Sequence, residues 1–141
     1  MITQQDIDDV AELADPIPLK TPLEMVRQFS IAMNQPLDKK WLFNRDLEDL
    51  RYRLIAEEFG ELSDEREAGN RPAAMLSELA DLVYTEYLYA ASFGWDLDEA
   101  VRRIHAANMS KLGPDGKPLL RPDGKVLKGP NYKKADLSDL V

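Results

Sequence analysis

Between residues 22 and 110 no window alternates apolar and polar side chains with period two, while apolar residues recur every three to four positions between recognisable helix starts and stops. This excludes a sheet as the framework and leaves packed helices. Thr21-Pro22-Leu23-Glu24 supplies a cap hydroxyl, a proline at the first helical position and a glutamate at the third. With Met25, Phe29 and Ala32 or Met33 following, a helix is expected from about Pro22 to Asn34, stopped by Pro36. A second starts near Asn44, is marked by Leu47, Leu50, Leu54 and Leu62, and ends near Ala68 before Gly69-Asn70. Pro72 opens a third, rich in Ala, Leu, Glu and Met, running to Phe93 before Gly94. Asp96, with Glu99 three residues on, caps a fourth that reaches about Ser110. The expected fold is all-α, a four-helix arrangement with short connections.

The 141 residues favour one domain with a core that needs no disulfide or metal staple. Cysteine is absent and histidine occurs once, at His105. Disulfides, thiolate metal sites, cysteine nucleophiles and a multi-histidine site within one chain are thereby excluded. Apolar runs are short and the first residues are acidic, so neither a membrane span nor a signal peptide is expected, and the location is read as cytoplasmic.

The net charge of −8 divides unevenly. Residues 1–110 carry 11 Lys and Arg against 22 Asp and Glu, a net of −11. Residues 111–141 carry seven Lys and Arg against four Asp, a net of +3. An acidic body repels nucleic-acid backbone, so nucleic acid is not an expected partner. The basic segment repeats Pro-Asp-Gly-Lys turn chemistry at Pro114–Lys117 and Pro122–Lys125. Its Leu119, Leu120, Val126, Leu127, Tyr132, Leu137 and Leu140 are too many apolar residues for a solvated tail. An ordered irregular segment is expected, with a short hairpin, packed on the body or on a neighbouring subunit. Residues 1–21, punctuated by Pro16 and Pro18, read as a separate arm.

The second helix contains Glu57-Glu58-Phe59-Gly60-Glu61 and the third Glu78-Leu79-Ala80-Asp81. Acids three apart lie one above the other on a helix. Glu58 and Glu61 prolong the apolar stripe of Leu47, Leu50 and Leu54 instead of opposing it. An antiparallel pair joined by a short turn brings these carboxylates around one space, where desolvation and mutual repulsion call for a cation. Arg51, Arg53 and Arg66 are too few to supply it, and an all-oxygen ligand set selects Mg²⁺ or Mn²⁺. A merely solvated acidic face is the competing reading of the second-helix acids. A di-iron bundle is excluded, because no histidine follows either glutamate at the required spacing.

The E-x-x-E/E-x-x-D pair, together with Asn108-Met-Ser-Lys111 and the tail that follows, resembles the all-α nucleoside triphosphate pyrophosphohydrolases. This is the superfamily of MazG, the dimeric dUTPases, the dCTP pyrophosphatases and phosphoribosyl-ATP pyrophosphohydrolase, and the likeness spans about residues 22 to 137. It implies a MazG-like helical catalytic domain over 22–111 and an irregular tail over 112–141, assembling as a homodimer or a dimer of dimers. It also implies hydrolysis of a (d)NTP to the monophosphate and pyrophosphate, in a bacterial cell or a phage-infected host. Glu58, Glu61, Glu78 and Asp81 match the metal-binding acids, holding two to three Mg²⁺ ions per site with Mn²⁺ able to substitute. Glu57 matches the catalytic glutamate that orients or deprotonates water, and Asn108 and Lys111 match the pair that contacts phosphate and sugar. The tail lysines, Lys125 and Lys128 among them, are suited to phosphate oxygens. Trp41 is the stacking candidate for the base and Asn34 a candidate reader of its edge. Ser30 stands where the short branch often has a histidine, so pyrimidine (dUTP, dCTP) and purine (dGTP, GTP) substrates both remain open. His105 reads as a packed side chain, and Tyr84, Tyr87, Tyr89 and Phe93 as core or subunit interface. A phosphoribosyl-ATP pyrophosphohydrolase, disfavoured by the tail, and a non-catalytic helical interaction module are the alternatives.

Overall fold

The computed structural model describes Met1, Thr3 and residues 19–141, so nearly all of the expected 1–21 arm lies outside the described residues. Four helices carry the fold: α1 (Pro22–Ala32), α2 (Arg45–Ala68), α3 (Pro72–Ser92) and α4 (Leu97–Met109), with 3₁₀ turns at Trp41–Phe43 and Ser138–Leu140. Among the described residues there is no strand, only an isolated antiparallel bridge between Leu120 and Val126. Among the described residues no helix is long and apolar enough to cross a membrane.

The ends of α1 follow from its sequence. Thr21 accepts from the Glu24 amide while the Glu24 carboxylate accepts from the Thr21 amide at 2.8 Å, a complete capping box. The helix stops two residues before the expected Asn34, because Asn34 turns left-handed (φ 51°). The Asn34 amide then donates to the Ile31 carbonyl and the Gln35 amide to Ser30, the bonding of a Schellman cap. Gly69 (φ 67°) and Asn70 (φ 58°) turn α2 back along α3, and Asp96 caps α4 through the Glu99 amide at 3.0 Å.

The core lies between α1 and the C-terminal half of α3. Val26, Tyr87, Leu88 and Ala91 form its buried centre, with Leu23, Leu37, Tyr84 and Leu97 packed around it. Phe29 meets Tyr84 edge-on at 5.6 Å. The expectation that the α3 aromatics serve the core holds for Tyr87 and Phe93, both buried. The aromatic-rich face of α3 does not end where α1 ends. Leu76, Leu79 and Val83 continue it towards the N-terminus at helical spacing and are 67%, 44% and 46% exposed.

The buried side chain of α2 is a charged one. Leu50, expected on the inner stripe, is 42% exposed, whereas Arg51 is 2% exposed. Arg51 stands four residues after Leu47, three before Leu54 and seven before Glu58, and so occupies the inward register. Its guanidinium donates to Ser92 Oγ (2.8 Å) and Gln35 Oε1 (3.2 Å), with no carboxylate partner among the described residues, and burial lowers its pKa. The C-terminal ends of α1 and α3 converge here, and their partial negative charge offsets the cation. Arg51→Ala is expected to cost about 3 kcal/mol, because it opens a cavity and strips Gln35 of its donor. Arg51→Met, which fills most of the volume, is expected to cost distinctly less, with urea midpoints separating the two.

The C-terminal segment is ordered against α4. Arg103 pairs with Glu99 through Nε and, through its two terminal guanidinium nitrogens, with Asp139 at 2.6 and 3.0 Å, and it donates to the Asp136 carbonyl. Ser110 Oγ accepts from the Lys133 amide at 2.9 Å, and the Gly129 amide donates to the Lys111 carbonyl at 3.0 Å. A Cβ on Gly129 would stand 2.7 Å from two backbone carbonyl oxygens, so only glycine fits this crossing.

Candidate metal centre

Antiparallel packing of α2 on α3 places Glu58 opposite Glu78 and Asp81. One oxygen from each of the three lies within 4.8 Å of the others. Glu61, one turn beyond Glu58, is near enough for its charge to act on both Glu58 and Glu78. Glu58 and Glu78 are half-buried, whereas Glu57, Glu61 and Asp81 are exposed. Among the described residues no lysine or arginine forms an ion pair with any of the five. Arg53 pairs with Asp49, and Arg71 is held by Glu65.

The electrostatics agree with the crowding. Burial raises the Glu58 carboxyl above its ordinary 4.5, and Glu61, Asp81, Glu78 and Glu57 add to the rise. Burial likewise raises Glu78, followed by the charges of Glu61, Asp81 and Glu65. Glu78 Oε2 is buried without a hydrogen-bond partner. Such an oxygen is costly unless something positive meets it. An all-carboxylate donor set around an orphaned buried oxygen fits a hard divalent cation.

A pH dependence follows. The folded pKa values of Glu58 and Glu78 lie above 4.5, so the folded chain retains protons that the unfolded chain has released. In the absence of a cation these groups therefore weigh against folding above their raised pKa values, and that burden disappears below 4.5. Cation binding requires the ionised forms. The rise in melting temperature produced by Mg²⁺ is expected to be largest near neutrality and to shrink steadily as pH falls towards 4.5. A differential scanning fluorimetry series at fixed ionic strength reads this.

The model of the phosphoribosyl-ATP pyrophosphohydrolase family matches residues 26–108, more than half of the chain, with all five acids inside the match. The chain belongs to the phosphoribosyl-ATP pyrophosphohydrolase family. Among curated proteins none matches it. Membership of this pyrophosphohydrolase family makes the chain a hydrolase acting on phosphoric anhydrides of the nucleotide type.

Trp41 of this family member lies apart from the carboxylates. Trp41 donates to the Tyr89 hydroxyl at 2.9 Å, carries the Arg45 guanidinium 4.2 Å above its ring, and stands 6.3 Å from Trp95. With Phe43, Phe93 and Val141 these two tryptophans line an apolar cavity of about 490 Å³, rimmed by Lys39 and Lys40. This cavity lies at the start of α2, and Glu58 follows Arg45 by thirteen residues, about 20 Å of helix. Asn34 is exposed at the end of α1, and Asn108 is exposed at the end of α4 with Lys111 half-buried just beyond it. Lys125 and Lys128 are exposed, the latter 4.7 Å above the Tyr132 ring. His105, expected to pack, is exposed instead. Glu65 escaped the sequence reading although it follows Glu58 and Glu61 at positions i+7 and i+4. Its side chain is 9% exposed, and its charge acts on Glu78.

Proposed function

We propose that this chain is a Mg²⁺-dependent pyrophosphohydrolase that converts a (d)NTP to the (d)NMP and pyrophosphate. The observation that carries the reading is the set of unpaired carboxylates on α2 and α3, with Glu78 Oε2 buried and without a partner. Glu58, Glu78 and Asp81 would hold the cation, and Glu61, whose charge acts on Glu78, would complete the set. Two to three Mg²⁺ ions, with Mn²⁺ able to replace them, would neutralise the triphosphate and make its pyrophosphate a better leaving group. Glu57, exposed beside Glu58 and without an ion pair among the described residues, would take a proton from the attacking water. Asn108, Lys111, Lys125 and Lys128 would supply phosphate and sugar contacts and Asn34 a base contact, whereas Trp41, about 20 Å of helix from Glu58 in the same chain, would serve the base only from a neighbouring subunit.

We further propose that the working unit is a homodimer or a dimer of dimers. The stripe of Leu76, Leu79 and Val83 supports this, since it prolongs a buried face and is left exposed among the described residues.

The test is product analysis by ion-exchange chromatography over the eight common NTPs and dNTPs and phosphoribosyl-ATP, with Mg²⁺ and with EDTA. The reading expects monophosphate and pyrophosphate from at least one (d)NTP with Mg²⁺ alone. Turnover restricted to phosphoribosyl-ATP would transfer the assignment to that substrate. Turnover of none would leave a non-catalytic helical module.

A further inference from the structure

Glu65 stands in the inward register of α2, seven residues after Glu58 and four after Glu61, and its side chain is 9% exposed. A bare carboxylate at that depth would be one more uncompensated charge beside the metal centre. It is not bare. Arg71 reaches it from the start of α3, Nε donating to Glu65 Oε1 at 2.8 Å and a terminal nitrogen to Oε2, so that the guanidinium clamps both oxygens. The turn between the helices brings the two together. The Gly69 amide caps α2 on the Glu65 carbonyl at 3.2 Å, and Gly69 and Asn70, both at positive φ, turn the chain back before Arg71.

The pair borders the carboxylates without joining them. Glu65, Arg71 and Met75 line one cleft of about 320 Å³ at the turn. Met75 precedes Glu78 by three residues, almost one turn of α3, and the charge of Glu65 accordingly acts on Glu78. Among the described residues no lysine or arginine pairs with Glu57, Glu58, Glu61, Glu78 or Asp81. Arg71 is therefore the one described cation that neutralises an acid acting on the centre, and it does so while its own side chain stays 63% exposed.

We infer that Arg71 is a positioning residue of the carboxylate centre, which clamps Glu65 and cancels its charge, so that a cation meets Glu58, Glu61, Glu78 and Asp81 without a further carboxylate and is held less tightly than the acids alone would hold it. That a cation is held there rests on the pyrophosphohydrolase reading. The cancelled charge stands on the clamp and the cleft.

The experiment uses the full chain at neutral pH and low ionic strength. Mn²⁺ binding is read from the electron paramagnetic resonance of the free ion for the wild type, Arg71→Met, Arg71→Lys, and Arg71→Met combined with Glu65→Gln. Arg71→Met is expected to bind Mn²⁺ roughly tenfold more tightly, because it removes a positive charge and uncovers a negative one. Arg71→Lys, and Glu65→Gln in the Arg71→Met background, are expected to return the affinity close to that of the wild type. A clamp with a structural role alone predicts weaker binding in Arg71→Met as the turn loosens, and weaker or unchanged binding overturns the inference.

A second arm needs no metal. In EDTA, Glu78→Gln is expected to raise the melting temperature of Arg71→Met more than that of the wild type, because Glu65 then opposes Glu78 without its counter-charge. Equal rises would overturn the inference. Absence of Mn²⁺ binding to every variant would refute the metal reading, and the metal-free arm then decides by itself whether Arg71 neutralises Glu65 at the carboxylates.

Discussion

Glu58→Gln is expected to abolish the Mg²⁺-induced rise in melting temperature and to lower turnover by at least about 10³-fold, the equivalent of several kcal/mol of transition-state stabilisation. It is also expected to make the metal-free protein more stable. Glu58 sits among Glu61, Asp81, Glu78 and Glu57, all of which oppose its ionisation. Removing its charge relieves that repulsion while preserving the size and helix preference of the side chain. The opposite signs are the diagnostic part. A glutamate on an ordinary solvated face would leave stability almost unchanged with or without Mg²⁺. Scanning fluorimetry with EDTA and with Mg²⁺, beside the turnover assay, distinguishes the two.

The second large effect concerns assembly. Leu76→Glu with Val83→Glu is expected to yield a monomer where the wild-type chain is a dimer or larger. Each substitution places a charge in the stripe proposed to meet another copy, at a cost of at least about 2 kcal/mol apiece. Together that weakens association by roughly three orders of magnitude. Both positions are exposed in the single chain, so the helical circular dichroism is expected to survive. Light scattering after size exclusion, across a range of protein concentration, reads the mass. An unchanged mass would place the subunit contact elsewhere.

Helix boundaries were legible because the chain states them locally. The Thr21–Glu24 capping box, Gly69 after α2 and Asp96 before α4 each do in the structure what their chemistry dictates. The convergence of the carboxylates was legible for the same reason: acids three apart on two helices joined by a short turn leave little freedom. Which face turns inward was less so. Leu50 and Arg51 are neighbours, and burial of the arginine depends on Ser92 and Gln35 arriving from two other segments. Asn34 reads as a polar side chain near a helix end, yet its left-handed backbone is the more specific feature. In the C-terminal segment Arg103 holds Asp139 and Ser110 holds Lys133, polar contacts that its apolar residues did not announce. Periodicity records that a side chain is apolar, not whether its cover comes from the same chain, so the exposure of Leu76 and Val83 could not be read from it.

The most direct test of the central claim is a crystal of the chain grown with Mn²⁺, measured at the manganese absorption edge. The account predicts an anomalous peak bridging Glu58, Glu78 and Asp81, with Glu78 Oε2 turned to the ion. Mn²⁺-supported turnover together with no anomalous density between α2 and α3 would contradict it.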